Sequence, residues 1–274
     1  MGALAAAPEL GAERTDVTQT GDVASAYDAF APFYDAFTAD YNHDSWMADV
    51  ERWALESGLT GRRVLDVACG TGASFVPMLR RGYDVTACDI SPAMVTRARE
   101  KIGPGGEVVV ADMRRLPWRS RFDLVTCVDD SMNYLLSPAE VRAALTSIRD
   151  ALRPGGMVVF DTNSLATYRT AFARRFTVEA GPNRFRWRGE GSEFMPPGEI
   201  ASVSIELVTE HGPVPIGRHV QRHHPIRTLE EACDEAGLDC LGFRGELPEG
   251  GQTTEPDEET NTKIVCLAAR PPAC

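Results

Sequence analysis

Five short runs of apolar, largely β-branched residues recur at regular intervals between Arg62 and Asp161, and they constrain the fold more than any other feature. The runs are RVLDV (63–67), DVTAC (84–88), EVVVA (107–111), FDLVTCV (122–128) and MVVFD (157–161). They are apolar throughout instead of alternating with polar residues, which is typical of parallel strands covered on both faces. Segments with helical patterning separate them, so the sequence predicts a doubly wound α/β sheet.

Two serine–proline pairs mark where helices of this region begin. Ser91 and Ser137 are each followed by proline, so each serine is a candidate N-cap with proline at the first helical position. Glu140 completes a capping box with Ser137. A helix is therefore predicted over residues 138–152, and the Pro-Gly-Gly sequence that follows it turns the chain into the fifth strand.

The patterning changes on either side of this core, which divides the chain into five parts. An aromatic, helical segment precedes the core, and a stretch of broken strand-like pieces with glycine and proline follows it. A second capping box at Thr228 then restarts a helix. We expect a mobile tail (1–22), an N-terminal helical cap (23–60), the core (61–164), an inserted antiparallel β lid (165–227), and a C-terminal helix with the last two strands of the sheet (228–274).

The balance of charge and the lack of long apolar runs argue against two classes of partner. Forty acidic residues against 28 basic residues give a net charge of −12, and such a surface repels the phosphates of nucleic acids. No apolar run approaches the ~20 residues that are needed to cross a bilayer. We therefore expect neither nucleic acid nor a membrane as a partner.

The cysteines and the first residues indicate the compartment. The seven cysteines are an odd number and no two of them form a CxxC pair, so we expect free thiols in a reducing environment, without disulfides and without a zinc or other metal site. Residues 1–21 lack the basic and apolar segments of a secretory signal. Both observations favour a cytoplasmic protein.

A turn of small residues after the first strand carries the strongest functional signal. Ala68, Gly70 and Gly72 let a ligand approach the backbone closely, and Asp89 follows at the end of the second strand, where its carboxylate can accept hydrogen bonds from both hydroxyls of a ribose. Dinucleotide and S-adenosylmethionine sites share this geometry. The dinucleotide fingerprint requires a third glycine where this chain has the much larger Phe75, so the nicotinamide interpretation is disfavoured.

Several segments together resemble class I S-adenosylmethionine-dependent methyltransferases. They are VLDVACGTG, ACDIS, VVVADMRRLPW, FDLVTCVDDSMNYL and ALRPGGMVVFDTN. The resemblance covers roughly residues 25–164 and resumes over 228–270, and it departs from the family's D-x-G-x-G-x-G pattern at Ala68, the smallest replacement for glycine. It implies a Rossmann-like, seven-stranded methyltransferase sheet, with S-adenosylmethionine as cofactor and S-adenosylhomocysteine as its product.

The same resemblance implies roles for individual residues. Asp66 would orient the glycine turn and the methionine amino group. Asp89 would hold the ribose hydroxyls, and Asp112 would accept a hydrogen bond from the adenine amino group. The residues implied to bind the cofactor are Tyr27, Tyr34, Asp66, Ala68, Gly70, Gly72, Asp89, Ile90, Asp112, Met113 and Cys127.

A methyl acceptor that loses a proton benefits from a nearby base. The candidates for a catalytic or acceptor-contacting role are Tyr34, Asp130, His223 and His224, with Asp161 as a further possible base. For the two histidines a structural role stays open, and for Tyr27 and Tyr34 so does simple aromatic packing of a helix on the sheet.

The acceptor side of the chain is most similar to that of amino-sugar N,N-dimethyltransferases and glycine-type N-methyltransferases. The lid carries nine arginines against six acidic residues, which favours an anionic small molecule or an ordinary salt-bridged surface equally. Where nucleic-acid amino-methyltransferases carry an Asn/Asp-Pro-Pro-aromatic tetrad, this chain reads Asp129-Asp130-Ser131-Met132.

The leading hypothesis is methyl transfer by in-line displacement to a nitrogen or oxygen of a small metabolite, in specialised, antibiotic-type biosynthesis. An alternative is an enzyme of the same fold that binds the cofactor and catalyses a cyclisation or rearrangement. A third is a module that only senses the cofactor. The sequence leaves open whether the protein is a monomer or a homodimer.

Overall fold

A large, mainly parallel sheet forms the core of the computed structural model, which describes residues 12–104 and 106–273. Its eight strands lie in the order β11-β10-β12-β5-β4-β1-β2-β3. Strands β1 to β5 are parallel, and β12 is antiparallel to both of its neighbours. The strands are β1 (Arg63–Val67), β2 (Asp84–Asp89), β3 (Glu107–Val110), β4 (Phe122–Cys127), β5 (Leu152–Asn163), β10 (Asp239–Glu246), β11 (Gln252–Thr253) and β12 (Lys263–Ala269).

The doubly wound sheet predicted from the five apolar runs is confirmed, since β1 to β5 lie where the runs lie. The eighth strand, in addition to the seven expected, is the two-residue β11 at the sheet edge. The largest difference in length is at β5, which begins at Leu152 and not at Met157.

Helices cover both faces of this sheet, as the continuous apolar strands require. They are α1 (Ala12–Phe37), α2 (His43–Glu56), α3 (Phe75–Arg80), α4 (Pro92–Ile102), α5 (Pro138–Ala151), α6 (Leu165–Thr170) and α7 (Ile226–Ala236). Both predicted serine N-caps are present, since the Oγ of Ser91 accepts from Met94 N at 3.1 Å and the Oγ of Ser137 accepts from Glu140 N at 3.3 Å. Apolar side chains of α5 and α7 pack on one face of the sheet, and those of α2, α3 and α4 pack on the other.

A second, antiparallel sheet lies within the predicted lid. Its strands are β6 (Arg175–Ala180), β7 (Asn183–Gly189), β8 (Ile200–Thr209) and β9 (Gly212–Arg222), in that order. Side chains of residues paired across neighbouring strands lie on the same face of a sheet, and so do those of residues two apart along a strand. The pairs Ile205–Gly217 and Val203–His219 therefore share one face of the lid sheet. This face of the lid sheet packs against α1.

Helix α1 changes one boundary expected from the sequence. Residues 12–22 were expected to belong to a mobile tail, but α1 begins at Ala12; residues 1–11 lie outside the described part of the chain. The helix runs between the core sheet and the lid sheet, which places it over the carboxyl ends of the parallel strands. Within residues 12–104 and 106–273, the helices lack the combination of length and apolar composition that a membrane span requires.

Candidate functional site

Two adjoining clefts open at the carboxyl ends of the parallel strands. The strand order reverses between β1 and β4, and ligands of doubly wound sheets bind at such a switch point. The turn cleft is lined by the turn after β1, the end of β2 and the residues after β3 and β4. The lid cleft lies beside it, between α1, the lid sheet and the end of β4. Tyr27, Tyr34, His43, Asp129 and Tyr134 line both clefts.

The backbone of the turn after β1 has a positive φ at Ala68, Gly70 and Gly72. Ala68 (φ 56°) and Gly70 (φ 53°) line the turn cleft. Glycine adopts such angles without strain, whereas alanine pays about 1–2 kcal/mol, so Ala68 is a strained replacement at the position where the family pattern has glycine. A side chain at Gly70 would extend toward Tyr34, 3.6 Å away.

Gly72 lies beside Phe75, at the start of α3. It is not among the residues that line the turn cleft, and a Cβ there would lie 2.4 Å from the ring of Phe75. Phe75 is fully buried at the start of α3. Gly72 is therefore required by packing against Phe75, the residue that replaces the third glycine of the dinucleotide fingerprint.

Asp89 is a buried carboxylate that faces the turn cleft. Its two oxygens accept hydrogen bonds from Gly70 N at 2.8 Å and from Ser91 N at 2.9 Å. Burial raises the pKa of Asp89 to about 6, although the backbone N–H donors pull it down. Each carboxylate oxygen has a second lone pair, so this side chain both anchors the turn and can accept hydroxyl donors from a ligand.

Asp66 and Cys127 support the cleft from beneath and do not line it. Asp66 accepts hydrogen bonds from Ser74 Oγ at 2.5 Å and Thr126 Oγ1 at 2.7 Å. It thus orients the turn, as expected, but it is 1% exposed, and a direct contact with a ligand is not available to it. Cys127 is fully buried in the apolar core of β4, and the cleft is formed instead by the residues after it.

The far end of the turn cleft is formed by Ile90, Asp112 and Met113, as the resemblance implies. Both oxygens of Asp112 are bound by Arg114, whose Nη2 lies 2.7 Å from Oδ2 and whose Nη1 pairs with Glu140 at 2.7 Å. Burial pushes the pKa of Asp112 upward, but Arg114 outweighs it and holds the pKa below its usual value. The Asp112 carboxylate is therefore ionised and already engaged, and the sequence offered no signal for this ion pair.

Helix α1 closes the turn cleft through two aspartates spaced seven residues apart. Asp28 Oδ1 accepts from Ser91 Oγ at 2.5 Å and from Ala93 N at 3.0 Å, at the start of α4. Asp35 accepts from Thr71 in the glycine turn and from Lys101 Nζ at 2.8 Å. The helix is thus attached to the two segments that carry Gly70 and Asp89.

Tyr27 of α1 belongs to a hydrogen-bonded group at the junction of the clefts, and the ring of Tyr34 packs against it with centroids 6.2 Å apart. Tyr27 donates to the hydroxyl of Tyr134 at 2.8 Å, and that hydroxyl lies 3.0 Å from Nδ1 of His219. Burial raises the pKa values of Tyr27 and Tyr34 well above 10 and lowers the pKa of His219 to about 4. The tyrosines are therefore protonated and the imidazole is neutral near pH 7.

The turn after β4 presents two adjacent carboxylates in strained backbone. Asp129 (φ 59°) and Asp130 (φ 54°) are both left-handed, which costs about 1–3 kcal/mol for each such residue and is common at functional sites. Asp161 stabilises this conformation, because its carboxylate accepts the backbone N–H of Asp129 at 3.0 Å and that of Asp130 at 2.5 Å. Asp161 is fully buried, so it supports the turn and does not face a cleft.

Lys263 neutralises part of this acidic group. Its Nζ lies 3.4 Å from Asp161, 3.5 Å from Asp129 and 3.7 Å from Asp130, and His43 lies 3.0 Å from Asp129. Burial raises the pKa of Asp129, but Lys263 and His43 outweigh it and leave the pKa below its usual value. Burial raises the pKa of Asp130 to about 6 against the effect of Lys263.

Gln221 of β9 fixes the orientation of Asp130. Its Oε1 accepts from Asn163 at 3.0 Å and from Tyr168 at 3.2 Å, so its Nε2 is directed to Asp130 Oδ2 at 2.5 Å. Gln221 is 2% exposed. The lid sheet thus reaches the carboxylate that the sequence marked as a candidate base.

His223 and His224 are not among the residues that line either cleft, and their contacts match the structural role that the sequence left open for them. His223 Nδ1 accepts from Gly198 N at 3.1 Å, and its Nε2 lies 3.0 Å from Glu258. His224 Nε2 donates to the Leu135 carbonyl at 2.8 Å, and burial lowers its pKa to about 4. Both rings connect the end of the lid to neighbouring loops, and the histidines that line the clefts are His43 and His219.

The arginines of the lid do not reach either cleft. Most of them bind carboxylates on the outside of the lid: Arg169 with Glu259, Arg184 with Glu179, Arg186 and Arg188 with Glu206, Arg218 with Glu190, and Arg227 with Glu231. Of the two interpretations left open for these residues, the salt-bridged surface is the one that matches the structure.

The core sequence is similar to that of known methyltransferases. Residues 64–156 match the sequence profile of a family described as a methyltransferase domain. A putative methyltransferase of Geobacillus is 35% identical over 143 residues, which are 50% of this chain and 58% of that protein. The chain spans a little over half the length of the first two curated relatives that it matches.

Two further comparisons extend over more of the chain. A dTDP-3-amino-3,4,6-trideoxy-α-D-glucopyranose N,N-dimethyltransferase of Streptomyces venezuelae is 28% identical over 69% of this chain and 78% of its own. The crystal structure of an S-adenosylmethionine-dependent methyltransferase from Clostridium acetobutylicum superposes with a TM-score of 0.72 at 22% identity, and the match covers 89% of this chain and 99% of that one. The last likeness establishes the fold.

Proposed function

Because the chain carries a methyltransferase domain of the S-adenosylmethionine-dependent class over residues 64–156, we propose that it transfers the methyl group of S-adenosylmethionine to a small metabolite. The acceptor atom is a nitrogen or an oxygen, and the site favours an amine. The observation that carries the proposal is the junction of the clefts, where the turn cleft with its buried Asp89 carboxylate meets the adjacent carboxylates of Asp129 and Asp130.

The residues that line the turn cleft suit the cofactor. Gly70 leaves room beside the backbone, and the buried Asp89 has lone pairs for two hydroxyls. Ile90 and Met113 would contact the adenine. Bound there, S-adenosylmethionine supplies an electrophilic methyl carbon on its sulfonium.

We assign Asp130 as the general base that takes a proton from the methyl acceptor. It lines the lid cleft and not the turn cleft, so it stands on the acceptor side of the junction. A pKa of about 6 leaves it ionised at neutral pH and still able to take a proton. Tyr34 remains protonated at that pH, so its hydroxyl orients and donates and does not act as a base.

The charge of the lid cleft favours an amine over an anion. Asp40, Asp129 and Asp130 line it, and Lys263 is the one lysine or arginine among its described lining residues. Carboxylates attract an ammonium ion and repel a phosphate or carboxylate. The Streptomyces venezuelae relative is named as an N,N-dimethyltransferase of an amino sugar, which supports the same choice. A structural neighbour is an amino pentose methyltransferase of calicheamicin biosynthesis, which supports a reaction in specialised biosynthesis.

Mass analysis of the product tests the proposal. The protein is incubated with methyl-labelled S-adenosylmethionine and an extract of the producing organism, and labelled products are identified by mass. Each transfer adds about 14 Da to the acceptor, plus the extra mass of the isotopic label. A cyclisation or rearrangement yields an isomeric, unlabelled product, and a sensor that only binds the cofactor yields no product.

We expect Lys263 and Asp161 to tune Asp130 in opposite directions. Lys263→Met removes a cation that lowers the pKa of Asp130, and Asp161→Asn removes an anion that raises it. Activity requires ionised Asp130 and falls as the pH drops through its pKa. The acid limb of kcat/KM should therefore move up by about one pH unit in Lys263→Met and down in Asp161→Asn.

Matched variants separate this effect from a loss of folding. Lys263→Arg keeps the charge and should retain the wild-type limb, and Lys101→Met, at the only other lysine, should not move it. The titratable groups that interact with Asp130 are Tyr27, Tyr34, Asp129, Tyr134, Asp161, Tyr168 and Lys263. Tyr41, His43 and Glu246 interact with Lys263, Asp129 or Asp161. Limbs that move in the same direction in both variants would contradict the assignment.

A further inference from the structure

Two kinds of side chain line the lid cleft. Polar groups, including Asn163 and Gln221, lie around Asp130, whose neighbour Asp129 also lines the turn cleft; this part is the Asp130 end. The second part lies between α1, α6 and the inner face of the lid sheet, where the side chains form two apolar clusters that share Trp187. Apolar and aromatic side chains form this second part: Phe30, Phe37, Ala171, Phe172, Trp187, Val203 and Ile205.

Trp187 of β7 lines the lid cleft with the apolar part of its ring, because its one polar atom is hydrogen-bonded elsewhere. Its indole N–H donates to the Ala171 carbonyl at 2.8 Å, which satisfies the only polar atom of the side chain. Phe176 stacks on it with ring centroids 5.5 Å apart, and Phe172 meets it edge-on at 5.9 Å. An aromatic wall of this kind is suited to the apolar face of a ring.

The lid cleft lacks the groups that recognise phosphate. Lys263, the one lysine or arginine among its described lining residues, lies within 3.4–3.7 Å of the three aspartates. His219 is neutral near pH 7 because burial lowers its pKa to about 4, and His43 is hydrogen-bonded to Asp129. Asp40 adds a carboxylate to the lining. A diphosphate in this cleft would meet carboxylates without the arginine or lysine contacts that usually bind it.

On the basis of the proposed function, we infer that the acceptor amine is carried by an uncharged, largely apolar ring system without a phosphate or nucleotide group. The amine lies at the Asp130 end, and the ring system lies against Phe30, Trp187 and Ile205. The acceptor therefore differs in class from the nucleotide-linked sugar after which the Streptomyces venezuelae relative is named. Methylation accordingly follows the step that joins the amine-bearing unit to an apolar body.

A matched pair of acceptors tests this inference. One is the p-nitrophenyl glycoside of an amino sugar, and the other is the same amino sugar linked to a nucleoside diphosphate. With saturating S-adenosylmethionine, we expect kcat/KM for methyl transfer to be at least about tenfold higher for the aryl glycoside. A preference for the nucleotide-linked sugar would overturn the inference and leave methyl transfer to amines intact. Transfer to neither, with the cofactor bound, would overturn both.

Variants of the aromatic wall provide a second readout. Trp187→Ala should lower kcat/KM for the aryl glycoside by about tenfold or more, through a higher KM, with the affinity for S-adenosylhomocysteine unchanged. Trp187→Phe keeps an aromatic face and should restore most of the loss, which a purely structural defect would not do. Phe194→Ala, at an exposed aromatic residue of the lid that does not line the cleft, is the matched control, with at most a twofold change. Equal kcat/KM in Trp187→Ala and wild type would overturn the placement of the ring.

Discussion

Asp130→Asn is expected to lower kcat/KM for methyl transfer by about 100- to 10,000-fold, the range in which a positioned general base contributes. Asparagine keeps the size of the side chain and its hydrogen-bonding partner Gln221, but it cannot take a proton from the acceptor. The acid limb near pH 6 in the wild type, which follows from the pKa of Asp130, should be absent from the variant. Initial rates between pH 5 and 8 measure both effects.

Two observations separate catalysis from binding in this experiment. The affinity for S-adenosylhomocysteine should be unchanged in Asp130→Asn, because Asp130 does not line the turn cleft. Asp40→Asn removes another carboxylate from the lining of the lid cleft and should alter kcat by no more than about threefold. A similarly small effect of Asp130→Asn would show that another group, or solvent, takes the proton.

Asp89→Asn is expected to weaken cofactor binding by about 30- to 1,000-fold, which corresponds to about 2–4 kcal/mol. Two effects combine. The amide is a poorer acceptor for the ribose hydroxyls than a carboxylate. Its NH₂ group also cannot accept the backbone N–H of Gly70 or Ser91 that the second carboxylate oxygen accepts, so the glycine turn is disturbed as well. Calorimetric titration with S-adenosylhomocysteine measures the change.

The same strand offers a control for this variant. Asp84 lies at the exposed start of β2, and Asp84→Asn should leave the affinity within about twofold of the wild type. Protonation of Asp89 should have an effect similar to its replacement, so the wild-type affinity should fall as the pH drops below about 6. Unchanged affinity in Asp89→Asn would remove the basis for a ribose at this position.

The core of the fold was predictable because each parallel strand is apolar along its length. Such runs are typical of parallel strands that are covered by helices on both faces of the sheet. Asp89 was predictable for a related reason. A polar residue that directly follows an apolar parallel strand lies at the carboxyl end of that strand, where the cleft forms at the switch point of the sheet. Local patterning was sufficient for both.

Gly72 and Cys127 show where local patterning is insufficient. A small residue in a turn makes room either for a ligand or for a neighbouring side chain, and the local sequence does not distinguish these two roles. The ring of Phe75 decides the question at Gly72. At Cys127, the strand ends inside the apolar core, one residue before the chain reaches the cleft, and strand ends are known from sequence only to within a few residues.

The acceptor side was the least predictable part of the site. His43, His219, Gln221 and Lys263 come from three elements distant in sequence and meet only in the folded chain. The alternation of β9 carried a signal, because Gly217, His219 and Gln221 share one face of the strand. His223 would continue that alternation, but β9 ends at Arg222, so the chain directs His223 elsewhere.

The crystal structure of the protein with S-adenosylhomocysteine is the most direct test of the site described above. The two ribose hydroxyls should lie within hydrogen-bonding distance of the Asp89 carboxylate, with the sulfur directed toward the junction at Tyr34 and Asp129. A ligand bound elsewhere, or a turn cleft that remains empty at saturating ligand concentration, would contradict the account.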